Sequence, residues 1–249
     1  MNERPGPMRL LTRILTPLWR IQRLALLSER FYWDLFLRRR EEDQLTRELD
    51  PDRPLAGSLW ALVDQEPADP VTILEVGSGP IATIGFKHPK RRLQITPTDV
   101  LADEYNRMLR RRGKVPPIPT IYADAERLTA QFGANTFNIV YAANCVDHMR
   151  DPLTAIREMI SVARLGGYVV LDHLIDEGVR QNYSGLHRWN LRAEEGRPIL
   201  WNRLQRHDLA DLLAPSCDVR ATVMEDKVHV EIRKLTAAPL GIVQKAKSC

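Results

Sequence analysis

The stretch ILEVGSGP, residues 73–80, decides the fold. An apolar, partly β-branched run from Val71 to Val76 breaks at once into Gly77-Ser78-Gly79-Pro80. A run of this kind bounded by glycine reads as a buried strand. A glycine turn at the end of such a strand lets backbone N–H groups approach a ligand closely, usually a nucleotide.

Outward from this stretch, strand and helix patterns alternate. Strands are predicted at Val71–Val76, Leu93–Asp99, Thr120–Tyr122, Phe137–Ala142, Tyr168–His173, Cys217–Met224 and Val228–Lys234. Helices are predicted just after Gly79 and over Ala102–Arg112, Ala125–Phe132, Pro152–Ala163 and Arg206–Leu213. Alternation at this spacing predicts a doubly wound, mainly parallel seven-stranded sheet covered on both faces, a Rossmann-like α/β fold. The last two strands flank Glu225-Asp226 and read as an antiparallel hairpin at the sheet edge.

The 249 residues are enough for one α/β domain with a sizeable core. Residues 1–50 read as a helical N-terminal extension, 51–235 as the main domain with an insertion at 174–206, and 236–249 as a tail. In the extension, Leu10, Leu11, Ile14, Leu15, Leu18, Ile21, Leu24, Leu27, Phe31 and Leu35 recur at helical spacing, with a kink or break expected near Pro17. A cap on the domain, a contact in a homodimer and a membrane-surface contact through residues 1–40 are the readings of this segment.

Charge and cysteine content narrow the classes. Residues 1–40 hold nine arginines against Glu3, Glu29 and Asp34, so with a net charge of +4 the remainder is slightly acidic. A nucleic-acid enzyme carries its basic surface around the active domain, and no nucleic-acid partner is expected. Cys145, Cys217 and Cys249 form no CxxC pair, which fits a reducing cytoplasm. No apolar run approaches the roughly 20 residues of a membrane span, and no secretory signal is evident.

Taken alone, the glycine turn leaves the nucleotide open. Residues 77–82 satisfy G-x-G-x-x-A, and Asp99 ends the second strand where an acid would hold ribose hydroxyls of either NAD or S-adenosylmethionine (SAM). Glu75 separates the two, because a carboxylate there repels a pyrophosphate and favours the ammonium and sulfonium of SAM. Asp124 in YADAERL, residues 122–128, and the polar end of FNIVYAANCVDHMRDP, residues 137–152, point the same way.

With these motifs the chain resembles the class I SAM-dependent methyltransferases over roughly residues 70–235. LEVGSGP matches the family's glycine motif, TPTDV its ribose acid, ADAERL its adenine-side acid, VYAANCVDHMRDP its fourth-strand motif and ARLGGYVVLDH its fifth strand. The resemblance implies SAM as cofactor. Glu75, Gly77 and Gly79 would lie at its methionine end, Asp99 at the ribose, Asp124 and Ala125 at the adenine, and Asn144 near the methyl group, with Ser78 and Val100 also among the cofactor contacts. Pro80 departs from the small residue common at that position.

Methyl transfer to a hydroxyl needs in-line geometry and a proton acceptor. His148 and His173 are the candidate bases, with His187 a third. Asp147 and Asp172 end the fourth and fifth strands and are candidate ligands for Mg²⁺. Tyr183, His187, Trp189 and Trp201 of the insertion are candidate acceptor contacts, suited to a saccharide. The expected activity is O-methylation of a small, sugar-like acceptor. N-methylation of an amino sugar or other amine, and a silent SAM-fold binding subunit, are the alternatives. Base-directed DNA methylation is disfavoured, because the fourth-strand end reads AANCVDH and lacks both the Asn/Asp-Pro-Pro-aromatic and the Pro-Cys patterns.

Overall fold

The structure, a computed structural model, describes residues 22–236. Strand β1 (Val71–Val76) is almost wholly buried and lies centrally. It pairs in parallel with β2 (Leu93–Asp99) and with β4 (Phe137–Ala143). Beyond β2 lies the short β3 (Ile121–Tyr122). Beyond β4 comes β5 (Ala163–Leu174), followed by the hairpin of β10 (Lys227–Lys234) and β9 (Cys217–Met224). The order is β3-β2-β1-β4-β5-β10-β9, with only β10 running antiparallel to its neighbours. This is the doubly wound, Rossmann-like sheet expected. The strand order reverses between β1 and β4, and the crevice at such a reversal is where ligands bind in open α/β sheets.

The two-residue side-chain period of each strand separates the core into two layers. Leu74, Val140, Val169 and Leu171 face one layer with α6 (Pro152–Val162), whose Ile156, Met159 and Ile160 recur at helical spacing. Asp151 starts α6 by accepting from Thr154 N at 3.1 Å, and Pro152 needs no donor partner in the first turn. Ile73, Ile139 and Val170 face the other layer with Leu59, Leu62 and Val63 of α3 (Gly57–Gln65).

Three expectations need correction. No helix follows Gly79: residues 80–92 run as turns and extended chain. The segment from Arg53 to Ala56 pairs its backbone with this stretch through Leu55 N to Lys87 O and Ala56 N to Ile84 O, both 2.7 Å. Gly85 sits so close to Pro54 that a Cβ there would lie 2.0 Å from the Pro54 carbonyl oxygen. The expected helix over Arg206–Leu213 begins only at Leu209, because Arg206–Asp208 is strand β8. The insertion is an antiparallel sheet in which β8 pairs with β7 (Arg197–Trp201), and β7 with β6 (Asn190–Glu194).

At the N-terminal side, α1 (Gln22–Arg39) and α2 (Glu42–Glu48) pack on α4 (Ala102–Arg111). Leu37, Leu45, Leu101, Tyr105, Met108 and Leu109 form that third cluster. The apolar positions from Leu10 to Ile21, the break at Pro17, residues 237–249 and Cys249 lie outside the described residues. Among those described, no helix is long and apolar enough to cross a membrane.

Candidate active site

A cavity of about 300 Å³ opens at the carboxyl ends of β1, β2 and β4. Its volume matches the lower end of small-molecule sites. The glycine turn forms one wall. Gly77 and Gly79 adopt φ of +68° and +67°, a region that side-chain-bearing residues avoid. A Cβ at Gly77 would lie 2.6 Å from Cys145 Cβ, and one at Gly79 would lie 3.2 Å from the Trp33 indole. Helix α1 therefore lies over the turn, and its Leu26, Glu29 and Trp33 line the cavity. Trp33 Nε1 donates to Glu29 Oε1 at 2.8 Å and holds that carboxylate in place.

Gly77→Ala tests this packing. Clash and left-handed backbone together are expected to destabilise the fold by roughly 1–2 kcal/mol or more. Chemical denaturation measures this, and an unchanged midpoint would contradict the close approach.

The expected cofactor residues fall on both sides of the cavity rim. Ser78, Asp99, Val100, Asp124, Ala125 and Asn144 line it beside Gly77 and Gly79. Asp99 closes the turn: Oδ2 accepts from Gly79 N at 3.2 Å and Oδ1 from Leu101 N at 2.9 Å. Burial raises its pKa to about 6, although both backbone donors favour the ionised form. Ser78 turns its hydroxyl away, 3.2 Å from Thr120 Oγ1, and so meets the cavity through its backbone. Asn144, at φ +46°, accepts from Leu174 N at 2.7 Å and ties the end of β4 to β5.

Glu75 stands just behind this rim. Its Oε1 accepts from Thr83 N at 2.7 Å and from Thr83 Oγ1 at 2.5 Å, and Thr83 itself lines the cavity. Its Oε2 is buried without a partner. Burial pushes Glu75 up to about 7 against the pull of the Thr83 bonds and Arg53.

A histidine cluster adjoins the cavity through His148. Asp147 is only 1% exposed and has three imidazoles around it. His187 Nδ1 donates to Asp147 Oδ2 at 2.6 Å, and the same nitrogen lies 3.2 Å from His148 Nε2. An ionised carboxylate only accepts, so the proton belongs to His187 Nδ1 and His148 Nε2 faces it with its lone pair. On the far side His173 Nε2 lies 3.1 Å from Asp147 Oδ1, while its Nδ1 donates to Leu174 O. Burial alone would raise the Asp147 pKa, but His148, His173 and His187 together hold it well below the usual carboxylate range. His173 and His187 are desolvated, which lowers their pKa values, yet Asp147 more than offsets this and both end above ordinary histidine.

Of these histidines, His148 lines the cavity. His173, expected as a base, is fully buried and does not line it. Its position on β5 turns it inward onto Asp147, so it supports the carboxylate. The expected pairing of Asp147 with Asp172 over one pocket also fails. Asp172 and His173 are adjacent on β5 and point to opposite faces. Asp172 meets Tyr141 at 2.8 Å, His229 at 2.5 Å and Ser58 at 3.2 Å, away from Asp147. These two carboxylates make no Mg²⁺ site.

The aromatic residues of the insertion serve its own packing. Trp201 Nε1 donates to Asp176 Oδ1 at 2.8 Å, Tyr183 OH accepts from Asn190 Nδ2 at 3.0 Å, and Trp189 is buried in the core. None of the three lines the cavity, whereas their neighbour Leu186 does. Sequence reading missed Glu29 and Leu186, and it read Trp33 only as one of the core or lid aromatics of the extension. Only the three-dimensional return of α1 and the insertion brings them to the cavity, and no local motif marks them.

Residues 74–171 match the family model described as a methyltransferase domain. Over those residues the chain is similar to that family. The match spans β1 through most of β5 and includes the glycine turn, Asp99, Asp124 and the Asp147-His148 pair. No curated protein matches the chain. Among solved structures, the CurJ carbon methyltransferase is 11% identical with a TM-score of 0.48, covering 70% of this chain and 51% of its own. The CMeT domain of the citrinin polyketide synthase is 17% identical at TM-score 0.47, covering 71% and 50%. A SAM-dependent methyltransferase from Aquifex aeolicus is 12% identical at TM-score 0.43, covering 80% and 100%. The chain thus spans about half the length of the first two. The functional reading rests on the family match over residues 74–171 and on the site, not on these distant likenesses.

Proposed function

We propose that this chain transfers a methyl group from SAM to a hydroxyl of a small polar acceptor. The observation that carries the reading is one cavity lined by carboxylates and by His148, a histidine held from behind by Asp147 and His187. Glu29, Asp99, Asp124 and Glu126 are those carboxylates, and Arg150 is paired with Glu126 at 3.0 Å. Such a surface favours a cationic ligand and repels a pyrophosphate. A dinucleotide also lacks its usual anchor here, because no helix N-terminus follows the glycine turn. The unpartnered Glu75 Oε2 fits a ligand that brings an ammonium group.

On this reading Asp99 holds the ribose, Val100, Asp124 and Ala125 flank the adenine, and the backbone of Gly77–Gly79 meets the methionine end. Residues 51–235 form the catalytic domain, with α1 and α2 as its cap. When bound, SAM supplies an electrophilic methyl group on a sulfonium centre. Transfer breaks the sulfur–methyl bond as the oxygen–methyl bond forms, and the hydroxyl proton must leave. His148 takes that proton. Asp147, 3.7 Å from His148 Nε2, stabilises the resulting imidazolium, and His187 orients the pair. A base at this position favours a hydroxyl acceptor. The saccharide expectation drew on Tyr183, Trp189 and Trp201, and those side chains give it no support.

Affinity for SAM is expected to rise with pH. A bound cation favours ionised Glu75 and Asp99, so binding displaces their protons below about pH 7. Affinity should fall by about tenfold or more from pH 8 to pH 5.5 and level off above pH 8. Glu75→Gln should flatten the profile, and calorimetry in buffers of different ionisation enthalpy should register the released protons. A flat wild-type profile would contradict the placement of these carboxylates. Without ligand the same group acts on stability in the opposite sense. The folded pKa of Glu75 lies above its ordinary 4.5, so its burial is free of charge cost in acid. It costs on the order of 3 kcal/mol once the pH passes 7.

The proposal as a whole is tested by incubating the full chain with methyl-labelled SAM and panels of hydroxyl, amine and carbon-acid acceptors. Label is expected in the hydroxyl panel. Label only in the amine or carbon-acid panel would overturn the acceptor assignment.

A further inference from the structure

We propose that Asp147, His148 and His187 form a binding site for one divalent transition-metal ion of the zinc class. The ligand atoms are Asp147 Oδ2, His148 Nε2 and His187 Nδ1. Their separations are 2.6 Å, 3.2 Å and 3.7 Å. Donors about 2.0–2.1 Å from one Zn²⁺ in tetrahedral geometry stand roughly 3.3 Å apart, so the cluster spans the distance one ion requires. Small rotations of two side chains would even out the three separations.

The chemistry of the set selects the ion. Two imidazoles and one carboxylate suit Zn²⁺, Co²⁺, Fe²⁺ or Ni²⁺, whereas Mg²⁺ prefers an all-oxygen shell. The three residues lie at the end of β4 and in the insertion, and the site therefore exists only when the insertion is folded against the sheet. Its support is already in place. His173 is fully buried behind Asp147, held through Nδ1 to Leu174 O, and packs the carboxylate in place. Asp147 Oδ1 and His173 Nε2, 3.1 Å apart, are out of line for a hydrogen bond and remain without an aligned partner. A cation on the other carboxylate oxygen compensates the buried negative charge.

Three protein ligands leave at least one position of a tetrahedral ion open. His148 lines the cavity, so an ion held there would lie beside the space assigned to the acceptor. The ion and the acceptor's proton compete for the same His148 lone pair. On the hydroxyl-transfer reading above, occupancy by zinc therefore removes the base and slows turnover. The binding site itself does not depend on that reading.

The test is calorimetric titration of the chelator-treated full chain with Zn²⁺ and, separately, with Mg²⁺, without SAM. One Zn²⁺ per chain and no saturable Mg²⁺ binding are expected. His187→Ala and His148→Ala should each weaken Zn²⁺ binding at least tenfold, and His207→Ala, outside the cluster, should not. Co²⁺ added to the unaltered chain gives a readout that needs no variant: ligand-field bands of a low-coordinate nitrogen–oxygen site are expected. Absence of saturable Zn²⁺ binding, unchanged affinity in both histidine variants, or a hexa-aquo Co²⁺ spectrum would each overturn the site. SAM titration of the same samples reports separately on the cofactor assignment.

Discussion

His148→Ala is expected to lower kcat by about 10²–10⁴ while leaving SAM affinity within a few-fold of the unaltered chain. The residue lines the cavity beyond the glycine turn, and its ring meets Asp147 and His187 and not the carboxylates at the glycine-turn end. The substitution removes the proton acceptor without touching the groups assigned to ribose, adenine or methionine. Asp147→Asn should lose a similar factor, because it takes away the negative charge that holds the imidazolium. His173→Gln should lose far less in turnover, since its ring is buried behind the carboxylate. It should instead lower thermal stability by leaving Asp147 less well supported. Steady-state kinetics with a saturating hydroxyl acceptor measures all three. Full activity in His148→Ala would contradict the base assignment.

Asp99→Ala is expected to weaken SAM binding by about 10–150-fold, the equivalent of roughly 1.5–3 kcal/mol for lost charge-assisted hydrogen bonds. Part of the loss has another source. Asp99 also accepts from Gly79 N and Leu101 N, so alanine orphans two backbone donors and loosens the turn. Asp99→Asn reduces the second effect. The amide oxygen keeps one of the two acceptors of the turn, while the charge is gone and the other backbone donor is left unpaired. Retained stability with weakened SAM binding in Asp99→Asn would assign the loss to the ribose. Unchanged affinity in both variants would remove Asp99 from the cofactor site.

The fold was legible because the signals for its central sheet are local. The buried run of β1 ending in Gly77, the alternation of β9 and β10 around Glu225-Asp226, and the start of α6 at Pro152 are all readable within ten residues. Helix formation after Gly79 was not readable. It is prevented by backbone pairing with residues 53–56, more than twenty positions away. The glycine-turn end of the cavity was likewise marked by local motifs, since glycines, Asp99 and Asp124 sit at strand ends. The acceptor end was legible only in part. Sequence placed His148, His173, Asp147 and Asp172 at neighbouring strand ends, but the two faces of β5 separate Asp172 from His173. The aromatics of the insertion looked like contacts for a sugar ring. Their polar atoms are instead claimed by Asp176 and Asn190 as the three-stranded sheet folds on itself.

The acidic cavity at the glycine turn is assigned to SAM. Calorimetric titration of the purified full chain with SAM, and in parallel with NAD, tests it most directly. Saturable binding of one SAM per chain with no NAD binding is the expected result. NAD binding, or the absence of SAM binding at pH 8 where Glu75 and Asp99 are ionised, would contradict it.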